Sequence, residues 1–207
     1  MNFLHFPPIL AGTKKMQSIC ERDCEMQSDT MESDDIEPLI AILRTGVYHA
    51  TSICHYRSML SSSRITSRSE ARGISDDRPH LSNCWQLDAV SMFDFERPTH
   101  DEIYDRVEFL KWSAVLLWHK PTILIGFHRE TLPGQIVYYD EAKRRLGLGG
   151  IIPSVEICHQ GAIPISIAFQ CVVATHSPTV DFKTHYIFQT YRGHHIADDE
   201  LAKWEHA

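Results

Sequence analysis

Apolar positions at Ile36, Leu39, Ile40 and Leu43 recur at helical spacing just behind Asp34 and Asp35, acids that suit the positive end of a helix dipole. The spacing predicts a helix that Gly46 ends. Val47-Tyr48-His49-Ala50-Thr51 then reads as a strand that carries three polar side chains to its far end. Ile53, Tyr56, Met59 and Leu60 return to helical spacing behind Ser52, a residue that caps well. Ser61-Ser62-Ser63 breaks that helix, and residues 61–81, rich in serine and arginine, predict a long loop with one strand near Ile65. Residues 81–87 and 89–95 alternate as strands, with Val90 and Met92 opposite Ser91, Phe93 and Phe95.

Thr99 and Glu102 have the spacing of a capping box, and Ile103, Val107, Leu110, Ala114 and Leu117 follow at helical period. A helix over 99–119, stopped by Pro121, is predicted. The period then switches to strands at 122–127 and 135–139, followed by a basic, glycine-rich turn at 144–150. Residues 154–158 and 165–175 predict a hairpin across 159–162, with 185–191 as an added edge strand. Helices early and strands late favour an α+β domain with a mostly antiparallel, split β-sheet and a few flanking helices over a doubly wound parallel fold.

Composition changes this picture only in places. The hydrophobic fraction of 43% with 10% aromatic residues suits one folded domain. A net charge of −7 argues against a general nucleic-acid coat, but the charge is uneven. Residues 1–40 hold eight acids against Lys14, Lys15 and Arg22, whereas residues 41–80 hold six arginines against three acids. Residues 1–34 are therefore read as an acidic, flexible arm suited to a basic protein partner, and 35–207 as the single folded domain. Six scattered cysteines do not form a dense disulfide framework, so reduced thiols and a cytoplasmic location are expected. The start lacks a basic leader, and no apolar run approaches the ~20 residues of a membrane helix, so a soluble chain is expected.

His49 is a neutral imidazole able to donate to or accept from a sugar hydroxyl, and Tyr48 offers a stacking ring. In such a strand a histidine is also an ordinary hydrogen-bonded core residue. Glu156, between Val155 and Ile157, points to the opposite face from both. That face is either solvent or a cleft where a carboxylate stabilises developing positive charge. The arginines from Arg57 and Arg64 through Arg72 suit a pyrophosphate, and they equally suit a soluble loop. Gly147-Leu148-Gly149-Gly150 is no dinucleotide fingerprint. The Cys54-His55, Cys158-His159 and His194-His195 pairs lack the spacing of zinc knuckles, so no metal site is read from them.

Val47-Tyr48-His49-Ala50-Thr51 before a short helix, a serine-bearing middle strand, and Val155-Glu156-Ile157 before Ile163-Pro164 together resemble the ADP-ribosyltransferase superfamily. The similarity is to its His, Tyr or Ser, Glu branch, which includes nucleic-acid-modifying toxins and the related RNA 2′-phosphotransferases, over about residues 44–190. The resemblance implies NAD as substrate and a macromolecular acceptor, nucleic acid or protein. His49 would hold the NAD ribose with Thr51 nearby, and Glu156 would stabilise the oxocarbenium-like species as nicotinamide leaves. Ser82 and Ser91 are both candidates for the middle motif, with Phe93 or Tyr139 as nicotinamide-stacking rings. An alanine stands where the first motif often has glycine, and Ser154, not a glutamate, stands two residues before Glu156, so there is no Glu-x-Glu, which weighs against the arginine-modifying branch. Two alternatives remain: a 2′-phosphotransferase relying on the arginines, and a non-catalytic interaction protein using the acidic arm. An ADP-ribosyltransferase needs both groups on one sugar, so under that reading His49 and Glu156 are expected to face one cleft.

Overall fold

The computed structural model describes residues 30–67, 84, 87–105, 113, 116–117, 119–146, 154–178 and 184–205. In chain order the elements are β1 (Met31–Ser33), α1 (Glu37–Leu43), β2 (Val47–Ser52), α2 (Ile53–Ser62), β3 (Arg64–Ile65), β4 (Ala89–Asp94) and α3 (His100–Tyr104). They continue with β5 (Thr122–Phe127), β6 (Gln135–Val137), α4 (Tyr139–Leu146), β7 (Glu156–Gln160), β8 (Ile163–Pro164), β9 (Gln170–Pro178), β10 (Thr184–Arg192) and α5 (Asp198–Trp204). Eight strands form one sheet in the order β1-β10-β9-β5-β2-β4-β7-β6, and β3 pairs with β8 in a separate ribbon. Every pairing is antiparallel. The fold is α+β, as the order of helical and strand periods predicts. No helix among the described residues is long and apolar enough to cross a membrane.

Alternation along the strands sorts the core onto the two faces of the sheet. Val47, Ile123, Ile125, Phe127, Met92, Ile157 and Val173 pack beneath α2, α5 and the β3–β8 ribbon, joined by Tyr56, Ile65, Ile163, Leu201 and Trp204. Tyr48, Phe93, Leu124, Val172 and Phe188 pack on the other face against Leu39, Ile40 and Leu43 of α1 and Ile103 of α3. A smaller cluster, Cys84, Ala89, Val137, Ala142 and Cys158, seats α4 beside it.

β2 lies at the centre and is fixed by local chemistry. A Cβ on Gly46 would stand 2.7 Å from the Phe127 carbonyl oxygen, so only glycine lets β2 start this close to the end of β5. At its other end Ser52 leaves the strand and accepts a hydrogen bond from the His55 amide, which starts α2. β2 runs beside β5 for six residue pairs but beside β4 for only two, Val47 with Asp94 and Tyr48 with Phe93. Past that point the two strands separate.

Several expected elements differ. The capping box of Thr99 and Glu102 is present, but the helix it starts ends at Tyr104, because Asp105 turns to ψ 123°. Tyr104 is held there by its hydroxyl, which bonds Glu37 of α1. Helical geometry reappears at Ser113 and Leu116, so the single helix over 99–119 is interrupted. Cys84 and Leu87 each take 3-10 helical rather than strand geometry, and the rest of the strand expected over 81–87 lies outside the described residues. Arg144 and Arg145 belong to the last turn of α4, where their charge complements the helix dipole, and the glycines at 147–150 of the expected turn lie outside the described residues. The expected β7–β9 hairpin does not form. Gly161, at φ +98°, turns the chain into β8 and a short 3-10 turn, which carries it away from β7 to pair with β5 and β10. β10 is not the edge either, since β1 pairs beyond it and brings residues 31–33 of the supposed arm into the sheet.

Candidate functional site

The point where β2 and β4 separate collects the polar groups. Past the Tyr48–Phe93 pair the Ser91 carbonyl has no β2 amide opposite it in the ladder. His49 Nδ1 takes that place, 2.9 Å from Ser91 O. A carbonyl only accepts, so Nδ1 carries the proton and donates it, leaving Nε2 as an acceptor. Ser91 then turns its hydroxyl to the next strand and donates to Glu156 Oε1 at 2.6 Å. One residue on the middle strand thus links the histidine of β2 to the glutamate of β7.

His49 is neutral over the physiological range. Burial pushes its pKa down to about 4, opposed by the bond to Ser91 and assisted by the neighbouring imidazoles of His119 and His55. Its ring remains partly open to the surface, whereas Glu156 is 1% exposed. The solvent-facing reading of Glu156 is therefore wrong. Buried glutamates are rare unless partnered, and Ser91 supplies one such partner here.

The expectation that both side chains face one cleft needs correction. His49 pairs with Ile125 on the α2 face, while Glu156 pairs with Phe93 and shares the α1 face with Ser91 and Cys158. The two meet through Ser91 at the opening between β2 and β4, not across a common surface.

Other candidates fall away from this point. Tyr48 is fully buried, with its hydroxyl shared among Thr45, the Ile42 carbonyl and Gln170, so its ring is not a stacking platform. Phe93 is likewise core at 2% exposure. Thr51 is buried on the His49 side of β2. Arg57, on α2, is held by Glu205 at 2.5 Å and lies 4.0 Å from Asp198, which spends its charge within the protein. Arg64 lies exposed on β3, opposite Pro164. Tyr139 starts α4 with the Lys143 ammonium 5.7 Å from its ring centroid. Of the two serines, Ser91 occupies the middle position, and Ser82, with Arg68, Arg72 and Arg78, lies outside the described residues.

Two features had no sequence signal. Cys84 and Cys158, 74 residues apart, form a disulfide beside Glu156, which overturns the expectation of reduced thiols for this pair and removes the thiol argument for a cytoplasmic compartment. Asp94, 1% exposed at the end of β4, accepts from Arg129 at 2.6 Å and from the amides of Glu96 and Arg97. Only the acidic residue inside an apolar run, Phe93-Asp94-Phe95, could have hinted at a buried ion pair. His159 donates no metal-ligand geometry, since its nitrogens face the carbonyls of Gly161 and Pro133.

No family model matches the chain, and neither the curated proteins nor the solved structures contain a match to it.

Proposed function

We propose that this chain is an NAD-consuming ADP-ribosyltransferase. The observation that carries the reading is the bonded series His49, Ser91, Glu156 on three neighbouring strands, where β2 and β4 stop pairing. The series has the residue types and chain order of the resemblance. Cleaving NAD breaks the ribose C1′–N bond, and nicotinamide departs with the bonding electrons while positive charge develops on the sugar. The acceptor nucleophile then bonds C1′ and gives up its proton. That chemistry requires a fixed carboxylate near C1′ and groups that orient the ribose.

The chain's own residues fit these tasks unevenly. Neutral His49 has Nε2 available as an acceptor for a ribose hydroxyl, and its orientation is set by Ser91. Ser91 orients Glu156. Glu156 is the only carboxylate in the series, yet it is closed off from the surface, so it reaches a substrate only when its surroundings open. The phosphotransferase alternative gains nothing from Arg57, whose guanidinium is already paired.

The test is nicotinamide release from NAD by the full-length chain, with nucleic-acid and protein acceptors supplied. Glu156→Gln is expected to lose about 100-fold or more of that rate, the scale of removing one placed charge-stabilising group. Equal release by the two proteins overturns the reading.

A further inference from the structure

β1 stands at one edge of the sheet and buries little of its own surface. It is three residues long, Met31 is 46% exposed, Glu32 is exposed, and the chain is not buried again until Ile36 ahead of α1. Residues 1–29 join the domain through this strand. The register sets Glu32 opposite Ile187, and Asp34 follows on the same face, so both carboxylates stand beside His185 of β10. Asp34 Oδ1 is 2.9 Å from His185 Nδ1, and Glu32 Oε2 is 3.6 Å from His185 Nε2.

Each ring nitrogen therefore faces a carboxylate. A neutral imidazole has one N–H and one lone pair, so it serves one acid and turns its lone pair towards the other. The imidazolium donates from both nitrogens and attracts both acids by its charge. On β9, Ser177 and Thr175 lie opposite His185 and Ile187 and carry no charge, while His176 and Tyr186 stack together on the other face. Asp34 and Glu32 are the charged groups that act on the ring. The bond to Asp34, opposed by burial and reinforced by the charges of Asp34 and Glu32, holds the pKa of His185 above the ordinary 6.5.

We propose that His185 is a pH-dependent clip: as an imidazolium bridging Asp34 and Glu32 it holds β1 against β10, and on losing its proton it loosens β1 and the attachment of the segment that precedes it. The clip is fully closed below pH 6.5 and opens as pH rises through the higher pKa of the docked strand. Exposed ion pairs are weak one by one, but β1 has little besides three residue pairs with β10 to hold it, so a weak clip moves its opening measurably.

The experiment follows amide hydrogen exchange by peptide mass spectrometry in the full-length chain at about pH 5.5 to 8.5, above the ordinary range of carboxylate titration. Rates are corrected for intrinsic exchange and compared among the wild type, His185→Gln and Glu32→Gln/Asp34→Asn. Peptides covering β1 in the wild type are expected to exchange about two- to fivefold faster at the high end of that range, the scale of an exposed pair, while β5 does not change. Both variants should exchange at the faster rate throughout. The His185 ring, titrated by NMR, should show a midpoint above 6.5 that falls back towards 6.5 in Glu32→Gln/Asp34→Asn. Exchange of β1 that ignores pH in the wild type overturns the proposal, as does a pH dependence that survives in His185→Gln. A midpoint at or below 6.5, or β5 opening in step with β1, overturns it too.

Discussion

The Ser91 hydroxyl stands 2.6 Å from Glu156 Oε1 across the β4–β7 ladder, with the carboxylate shut away from bulk water. Removing the hydroxyl leaves a buried carboxylate short of a donor, a loss of about 1–3 kcal/mol. Ser91→Ala is expected to lower the urea midpoint accordingly with an unchanged m-value, and to depress nicotinamide release. Ser91→Thr, which restores a hydroxyl, should recover part of both.

His49 links folding to pH with a definite sign. Its pKa falls from 6.5 in the unfolded chain to about 4 in the fold. Between those values the unfolded chain binds a proton that the folded one refuses, so stability is full above pH 6.5 and is lost as pH falls towards 4. The linkage is worth at most about 3 kcal/mol, and less for a ring that keeps some exposure. His49→Asn retains a donor for Ser91 without the titration. Urea unfolding from pH 4 to 7.5 should show the wild-type advantage shrinking with acidity relative to this variant.

The buried Asp94 carboxylate pairs at 2.6 Å with Arg129, which is partly exposed, and also binds two backbone amides. Removing Arg129 takes one donor from the buried Asp94 carboxylate and leaves it its two amides, so Arg129→Met is expected to cost about 1–3 kcal/mol. Thermal unfolding monitored by circular dichroism checks this. An effect no larger than that of an exposed ion pair would mean the pair does not hold the end of β4.

Thr99 both accepts from the Glu102 amide and has its own amide bonded by the Glu102 carboxylate. Thr99→Ala should cost about 1 kcal/mol. Because α3 is only five residues long, the change should appear as faster amide exchange confined to α3 and not in the sheet.

Local signals in the sequence were legible where one segment decides them. The Ser52 cap, the Thr99–Glu102 box, the strands around His49 and Ser91, and the antiparallel character of the sheet all follow from short-range spacing. Strand partners do not. Nothing near Gly161 reveals that β7 pairs with β4 and β6 instead of β9, because pairing is set by how two sheet faces bury their apolar residues together. For the site, His49, Ser91 and Glu156 were each visible as polar residues in apolar strands, and the structure joins them. Tyr48, in the same five-residue stretch, is equally polar at its tip, and only its burial shows that its hydroxyl serves the core. The Cys84–Cys158 pair, 74 residues apart, leaves no local trace.

The claim that His49 and Glu156 act as one unit through Ser91 is tested most directly by a double-mutant cycle on nicotinamide release. His49→Ala, Glu156→Gln and the pair are compared with the wild type. Groups that act as a unit give losses that do not add, so the double variant should be hardly slower than Glu156→Gln alone. Losses that multiply in full, or release that none of the substitutions slows, would contradict it.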